Sequence, residues 1–187
     1  MLTDRFGGRH SSSNRNALAA FEDAVLGIAA HRPTAAVALE QALAADPSFT
    51  AAHALKGLAA VILARQELLG PARSALADAK TALAAHGRGI ASERALVRAL
   101  DPAVQGRISA AADLVDRHIE AAPQDLIAVK LSHAFRFMLG DASGMLATAS
   151  GALPAWQAAM PGYGFLLGCH AFGLEECGQP SWRGEPP

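Results

Sequence analysis

Apolar side chains recur at helical spacing along nearly the whole chain, and helix-breaking residues divide this pattern at regular intervals. The first such segment begins after a Ser12 or Ser13 cap and ends before Pro33. One face of this segment carries Ala17, Leu18, Phe21, Val25 and Ile28. The spacing therefore predicts an amphipathic helix at the start of the chain.

The same pattern predicts seven further helices, over residues 34–45, 50–69, 71–86, 91–100, 103–121, 125–139 and 163–177. Proline or glycine stands at most of the boundaries, as expected where helices stop. In the helix over 103–121, Asp113 and Asp116 fall on the polar side, so we expect this helix to be amphipathic and half exposed. The glycines and prolines between 140 and 162 predict an irregular connection there.

These helices repeat in pairs. A small residue is followed by a large one after four positions, a small one after three more and a proline after five more, which is the tetratricopeptide pattern. It occurs at Ala35, Leu39, Ala42 and Pro47, and in weaker form at Ala75, Ala79, Ala82 and Gly87 and at Ala111, Val115, His118 and Pro123. We predict an all-α, right-handed superhelix of antiparallel helix pairs, with an irregular helical bundle as the alternative.

Four segments are distinctive: MLTDRFG, ALEQALAADPSFTAAHALKG, SERALVRAL and the run from His133 to Gly178, in which LPAW, PGYGF and HAFGLEE are the most specific. Through these segments, residues 1–178 resemble the tetratricopeptide repeat protein 38 family. The resemblance implies a helical repeat protein without an established catalytic activity. It divides the chain into an N-terminal arm (1–12), a repeat domain (13–178) and a tail (179–187).

The tail departs from the family, which continues after LEECG into a partner helix and further repeats. Here the chain ends in QPSWRGEPP, which has no helical period. We expect residues 179–187 to be disordered and to result from a frameshift or an early stop, although a true end is the alternative. The last helix would then expose Phe165, Leu166, Phe172 or Leu174, and the chain could self-associate through it.

Composition narrows the function. Aromatic residues make up 5% of the chain, which disfavours a sheet protein. Lys and Arg (16) nearly cancel Asp and Glu (17) without a basic cluster, which disfavours a nucleic-acid partner. No apolar run reaches the length of a membrane span, and the first 16 residues contain no apolar stretch of signal-peptide length, so we expect no export. Cys169 and Cys177 are predicted to be reduced, so we expect a cytoplasmic protein.

Two histidines, His133 and His170, stand on apolar helices in the segments that most resemble the family. They are either hydrogen-bonded packing residues or acid–base groups in a groove. Cys169, His170 and Cys177 do not converge on one ion at helical spacing, so we predict no metal and no cofactor. The chain contains no G-x-S-x-G, H-E-x-x-H or Walker A motif.

The pattern as a whole predicts a scaffold that binds a protein or peptide in a concave groove. The polar groove residues would be His53, Lys56, His133, Arg136 and His170. The first alternative is an enzymatic or small-molecule pocket in which His133, His170 and Glu175 lie beneath the loop around Trp156 and Tyr163. The second alternative is a truncated fragment without a function of its own.

Overall fold

The computed structural model describes residues 1–86 and 89–179, and within them the chain forms nine α-helices and one short hairpin. The hairpin pairs β1 (Leu2–Thr3) antiparallel with β2 (Arg9–His10). The helices are α1 (Arg15–Ala29), α2 (Thr34–Ala45), α3 (Thr50–Ile62), α4 (Leu69–Ala85), α5 (Ala91–Ala103), α6 (Ile108–Ala121), α7 (Leu126–Met138), α8 (Ala142–Ala152) and α9 (Tyr163–Glu176). The all-α prediction is confirmed. Gly87 of the second repeat and residues 180–187 of the predicted tail lie outside the described residues.

Several helix boundaries differ from the prediction, and the largest shift at a helix start is that of α6, which begins at Ile108 and not at 103. Asn14, rather than Ser12 or Ser13, caps α1 by accepting the N–H groups of Asn16 and Ala17. The helix predicted over 50–69 ends at Ile62, because Ala64 adopts a left-handed conformation (φ 53°) before a 3₁₀ turn at Gln66–Leu68. α5 continues through Pro102, which lies in its last turn.

The connection predicted as irregular between 140 and 162 contains a helix, α8. Asp141 caps it by accepting the N–H of Gly144 at 2.8 Å. Small and polar residues dominate α8, so its apolar period is weak, although its cap satisfies the first turn. The remaining loop packs onto the helices, since Trp156 is buried and its indole N–H donates to the Pro123 carbonyl at 2.7 Å.

Each helix packs against the next one along the chain, and further contacts join α3 to α5, α6 to α8 and α7 to α9. This packing is consistent with a helical repeat. The repeat positions Leu39, Ala42, Ala79, Ala111 and Val115 are all buried on the second helix of their pairs. The core therefore follows the tetratricopeptide spacing at these positions.

Glycine permits the closest helix crossings. A Cβ on Gly27 of α1 would lie 2.9 Å from the Ala35 Cβ of α2, and one on Gly173 of α9 would lie 2.9 Å from the Leu146 Cα of α8. In both places the neighbour is backbone or a methyl group next to it, so it has little freedom to move aside. The small residues of this sequence thus set the spacing between paired helices.

The N-terminal arm folds back onto the helices. The ring of His10 packs against the rings of Phe21 and Phe49, with centroids 5.0 and 5.5 Å away. Ser11 bonds to Glu93 at the start of α5, and Ser12 bonds to Asp46 after α2. The arm therefore joins α1, α3 and α5 through buried contacts.

Candidate functional site

A stripe of polar and aromatic side chains runs along α7 and meets α9. Lys130, His133 and Phe137 follow one another at helical spacing on α7. The Phe172 ring of α9 lies 5.5 Å from the His133 ring and 5.9 Å from the Phe137 ring, both at steep angles. We call the surface formed by Lys130, His133, Phe137 and Phe172 the α7–α9 face.

Large apolar side chains are exposed at and beside this face. Phe137 is 57% exposed, and Met138, Leu139 and Leu167 also reach solvent. Of the residues expected to be exposed on the last helix, Leu166 is buried, whereas Phe165, Phe172 and Leu174 are half-buried. Exposed aromatic and methionine side chains on adjacent helices are typical of binding surfaces.

His133 is neutral near pH 7. Burial lowers its pKa to about 4, and the charges of Lys130 and His31 act in the same direction. Its Nδ1 atom is buried and has no hydrogen-bond partner within the described residues. The imidazole thus contributes ring contacts rather than charge, and Lys130 is the cation of the face.

Cys169 lies on α9 near Lys130 and is almost completely buried. Burial raises the pKa of its thiol, although Lys130 opposes this effect. The thiol is therefore protonated at neutral pH and is a poor nucleophile. Both cysteines are free in the structure.

Arg136, one of the predicted groove residues, lies in a cluster of three aspartates. Its guanidinium bonds to Asp141 at 2.7 Å, to Asp113 at 3.1 Å and to Asp116, which also accepts the hydroxyl of Ser132. These partners hold the pKa of Arg136 above its usual range, the bond to Asp116 contributing most. Asp116 lies half-buried between α6 and α7, whereas Asp113 is exposed.

The other predicted groove residues lie apart. His53 donates from Nε2 to the Pro47 carbonyl at 2.8 Å, at the start of its own helix. Lys56 pairs with Glu40 at 2.7 Å, and both side chains are substantially exposed. His170 is half-buried on α9. Of the five predicted residues, only His133 belongs to the α7–α9 face.

One cavity of about 490 Å³ lies between the N-terminal arm, the start of α5 and the α6–α7 turn. We call it the arm cavity. Two imidazole–carboxylate pairs line it: His10 with Asp4, and His118 with Asp125, each joined from Nε2 to Oδ2 at 2.8 Å. His133 and His170 do not line this cavity. The residues that the pocket alternative assigned therefore do not line this cavity, and two other histidines do.

A second cavity of about 570 Å³ lies where the α1–α2 turn meets the end of α3 and the start of α4. We call it the turn cavity. Its lining is mainly apolar, and Lys56 and Glu40 stand at its edge. His133 and His170 do not line this cavity either.

The sequence did not indicate the two imidazole–carboxylate pairs. A signal was present in one case, since His118 occupies a repeat position where a small residue is expected. Asp125 also caps α7 by accepting the N–H of Ala128. A histidine at a crossing position, followed by a capping aspartate, indicates a local pair.

Two further observations concern metal binding and membrane spanning. Across residues 1–86 and 89–179, no group of three or more His, Cys, Asp or Glu side chains is arranged to hold a metal ion. None of the helices in the same residues combines the length and the apolar character of a membrane span.

No protein-family model matches the sequence, and no solved structure matches the fold. The resemblance to the tetratricopeptide repeat protein 38 family stays a prediction.

Proposed function

We propose that the chain is a tetratricopeptide-like scaffold, a right-handed superhelix of helix pairs, that binds a segment of another protein on its α7–α9 face. Helical repeats are stabilised by stacking and present extended surfaces for partners. The helix-pair packing and the buried repeat positions support this fold assignment. The free cysteines support a reducing compartment such as the cytoplasm.

The exposure of Phe137 carries the proposal. Its ring is 57% exposed although it contacts Phe172, so a ligand ring or aliphatic side chain can add to an existing aromatic pair. Buried aromatic anchors supply much of the binding free energy of protein interfaces. Covering Phe137 and Met138 would remove large apolar surfaces from water.

The charges of the face define the partner. Lys130 makes no ion pair within the described residues, and His133 is neutral because of its lowered pKa. A matching segment therefore places an apolar or aromatic residue against Phe137 and a carboxylate within reach of Lys130. We propose an extended or helical peptide with this pair of features.

Selection of peptides tests the proposal. A displayed library of random peptides is selected on the immobilised chain, and enriched peptides are measured against Phe137→Asp and against Val37→Asp. Val37 is the matched control because it is 60% exposed on α2, away from the α7–α9 face. We expect enriched peptides to pair an apolar residue with an acid and to lose about tenfold or more in affinity for Phe137→Asp alone.

Three results would contradict this proposal. One is no enrichment, and another is an equal loss of affinity for both variants. The third is a wild-type chain that self-associates in sedimentation experiments and becomes monomeric with Phe137→Asp, since a second copy would then occupy the face.

The arm cavity favours a second candidate, a small-molecule site. Its volume is typical of ligand pockets, and the two carboxylate-held imidazoles of His10 and His118 are polar groups of fixed orientation. A fragment screen by NMR tests it with Ala91→Trp, which narrows the cavity at an exposed lining position. Shifts at the cavity that Ala91→Trp abolishes support a ligand site, and a screen without hits contradicts it.

A further inference from the structure

The turn cavity differs from both surfaces considered so far because it is apolar inside and cationic at its edge. It lies where α1 and α3 end and where α2 and α4 begin. Its large apolar lining residues are Ile28, Leu39, Ile62, Leu63, Leu68 and Pro71. Such a cavity accommodates an aliphatic chain more favourably than a polar ligand.

Cationic groups outnumber the single acid at the edge. Arg32 is exposed and makes no ion pair within the described residues. Lys56 also lines the cavity, where its partner Glu40 is 65% exposed, so water competes for this pair. The cavity therefore offers Arg32, which has no ion-pair partner among the described residues, and Lys56, which could exchange Glu40 for the carboxylate of a ligand at little cost in free energy.

The start of α2 adds to this positive potential. Pro33 precedes α2 and provides no side-chain cap, and Ala35 and Ala36 of the first turn line the cavity. The N-terminus of a helix carries a partial positive charge. Arg32 lies just before Pro33, which precedes α2. The guanidinium and the helix dipole therefore both favour an anion at this edge of the cavity.

The backbone around the cavity is strained at two positions. His31 (φ 54°) follows α1, and Ala64 (φ 53°) follows α3; they are the two residues other than glycine with positive φ in the part of the chain that the structure describes. His31 lines the cavity, and Ala64 follows the lining residue Leu63. Left-handed conformations of such residues cost free energy and cluster at binding sites.

We propose that the turn cavity binds an amphiphilic monocarboxylate, with its aliphatic chain among the apolar lining residues and its carboxylate at Arg32 and the start of α2. The charges at the edge of the cavity explain why amphiphiles with a cationic or an uncharged head group would bind less well. A cationic amphiphile would be repelled by Arg32 and Lys56, and an uncharged alcohol could accept a hydrogen bond from Arg32 but would form no ion pair with it. The residues that line this cavity do not include those that define the α7–α9 face, and the proposal does not depend on the proposed function.

The test uses three probes of equal chain length: decanoate, decan-1-ol and decyltrimethylammonium. Binding to the whole chain is measured by NMR and titration calorimetry below the concentrations at which the probes form micelles. We expect decanoate to bind at one site per chain, decan-1-ol to bind about tenfold more weakly, and the cationic probe not to bind at the cavity.

Variants locate the site. Arg32→Gln is expected to weaken decanoate binding about tenfold, whereas Arg73→Gln, at an exposed arginine of α4, leaves it unchanged. Leu63→Glu places an acid at a lining residue that is 62% exposed and is expected to abolish binding. Its control is Val37→Glu, at a residue of similar exposure that does not line the cavity.

The two glutamate variants introduce the same charge at exposed positions. Circular dichroism of each variant shows whether it is folded, so a folding defect can be distinguished from a loss of binding. Absence of decanoate binding, binding that survives Leu63→Glu, or equal affinity for decanoate and decan-1-ol would each overturn the proposal.

Discussion

Ser11 donates two hydrogen bonds to one carboxylate oxygen of Glu93, from its backbone N–H at 3.0 Å and from its hydroxyl at 2.9 Å. Glu93 is fully buried, and its second oxygen has no hydrogen-bond partner within the described residues. The two residues are 82 positions apart. The pair therefore ties the N-terminal arm to α5 through a carboxylate that is shielded from water.

Ser11→Ala is expected to destabilise the chain by about 1–2 kcal/mol, because it removes one hydrogen bond from a buried charged group and leaves the other. Urea denaturation measures the free energy of unfolding. Ser13→Ala is the control, since Ser13 is exposed. Equal stabilities of the two variants would contradict the structural role of the pair.

The Arg136 cluster provides a second stability prediction. Arg136→Met leaves half-buried Asp116 without its cation, and we expect a loss of about 2–4 kcal/mol. Arg136→Lys keeps the charge but cannot bond with the same planar geometry, so its loss is expected to be smaller. Arg98→Met, at an exposed arginine of α5, is expected to stay within about 0.5 kcal/mol of wild type. An Arg136→Met variant as stable as Arg98→Met would contradict the account.

The sequence predicted the helices better than their ends. Apolar spacing located α1 to α7 and α9, because each buries a stripe of large or small apolar residues. It missed α8, whose stripe is made of Met145, Ala149 and Ala152 among serines and glycines. Apolar spacing also predicted that α5 ends at residue 100, before Pro102. The helix continues to Ala103, because a proline in the last turn leaves most of the helical hydrogen bonds in place.

His133 gives a prediction about pH. Above about pH 6.5 the imidazole is neutral in both the folded and the unfolded chain. As the pH falls from there towards its folded pKa of about 4, the unfolded chain binds a proton that the folded chain does not, so the free energy of unfolding decreases. Below that pKa this residue causes no further loss.

Urea denaturation between about pH 7.5 and pH 5 measures this effect, with His133→Gln as the comparison. We expect the stability of the wild type to fall more steeply over this range than that of the variant. NMR titration of the imidazole signals gives the pKa directly, and the signal missing from His133→Gln assigns the residue. Parallel stability curves, or a signal that titrates near pH 6.5, would show that His133 is not shielded as described.

Two glycines of α9 test the close crossing of α8 and α9. A Cβ at Gly173 would lie 2.9 Å from the Leu146 Cα, whereas one at Gly168 meets nothing within 4 Å. We expect Gly173→Ala to destabilise the chain by about 1–2 kcal/mol through overpacking. Gly168→Ala is expected to stabilise it by about 0.5–1 kcal/mol, because alanine favours the helix. Thermal denaturation of both variants checks the signs, and the same sign for both would contradict the crossing.

The binding surfaces could be predicted less well than the fold. Lys130, His133 and Phe137 share a stripe that helical spacing reveals, but Phe172 reaches them only because α9 packs beside α7. Arg136 was placed in a groove because its charge is visible in the sequence, whereas its three aspartate partners come from α6 and the α7–α8 turn. Pairing across elements depends on packing angles, and local spacing does not contain them.

The central claim is that a partner segment binds on the α7–α9 face. Hydrogen–deuterium exchange of the chain with and without a selected peptide tests it most directly. The account predicts that the peptide protects only α7 (Leu126–Met138) and α9 (Tyr163–Glu176) from exchange. It predicts no such protection when the same peptide is mixed with the Phe137→Asp variant. Protection centred on the N-terminal arm, on α2 to α4, or unchanged by Phe137→Asp would contradict it.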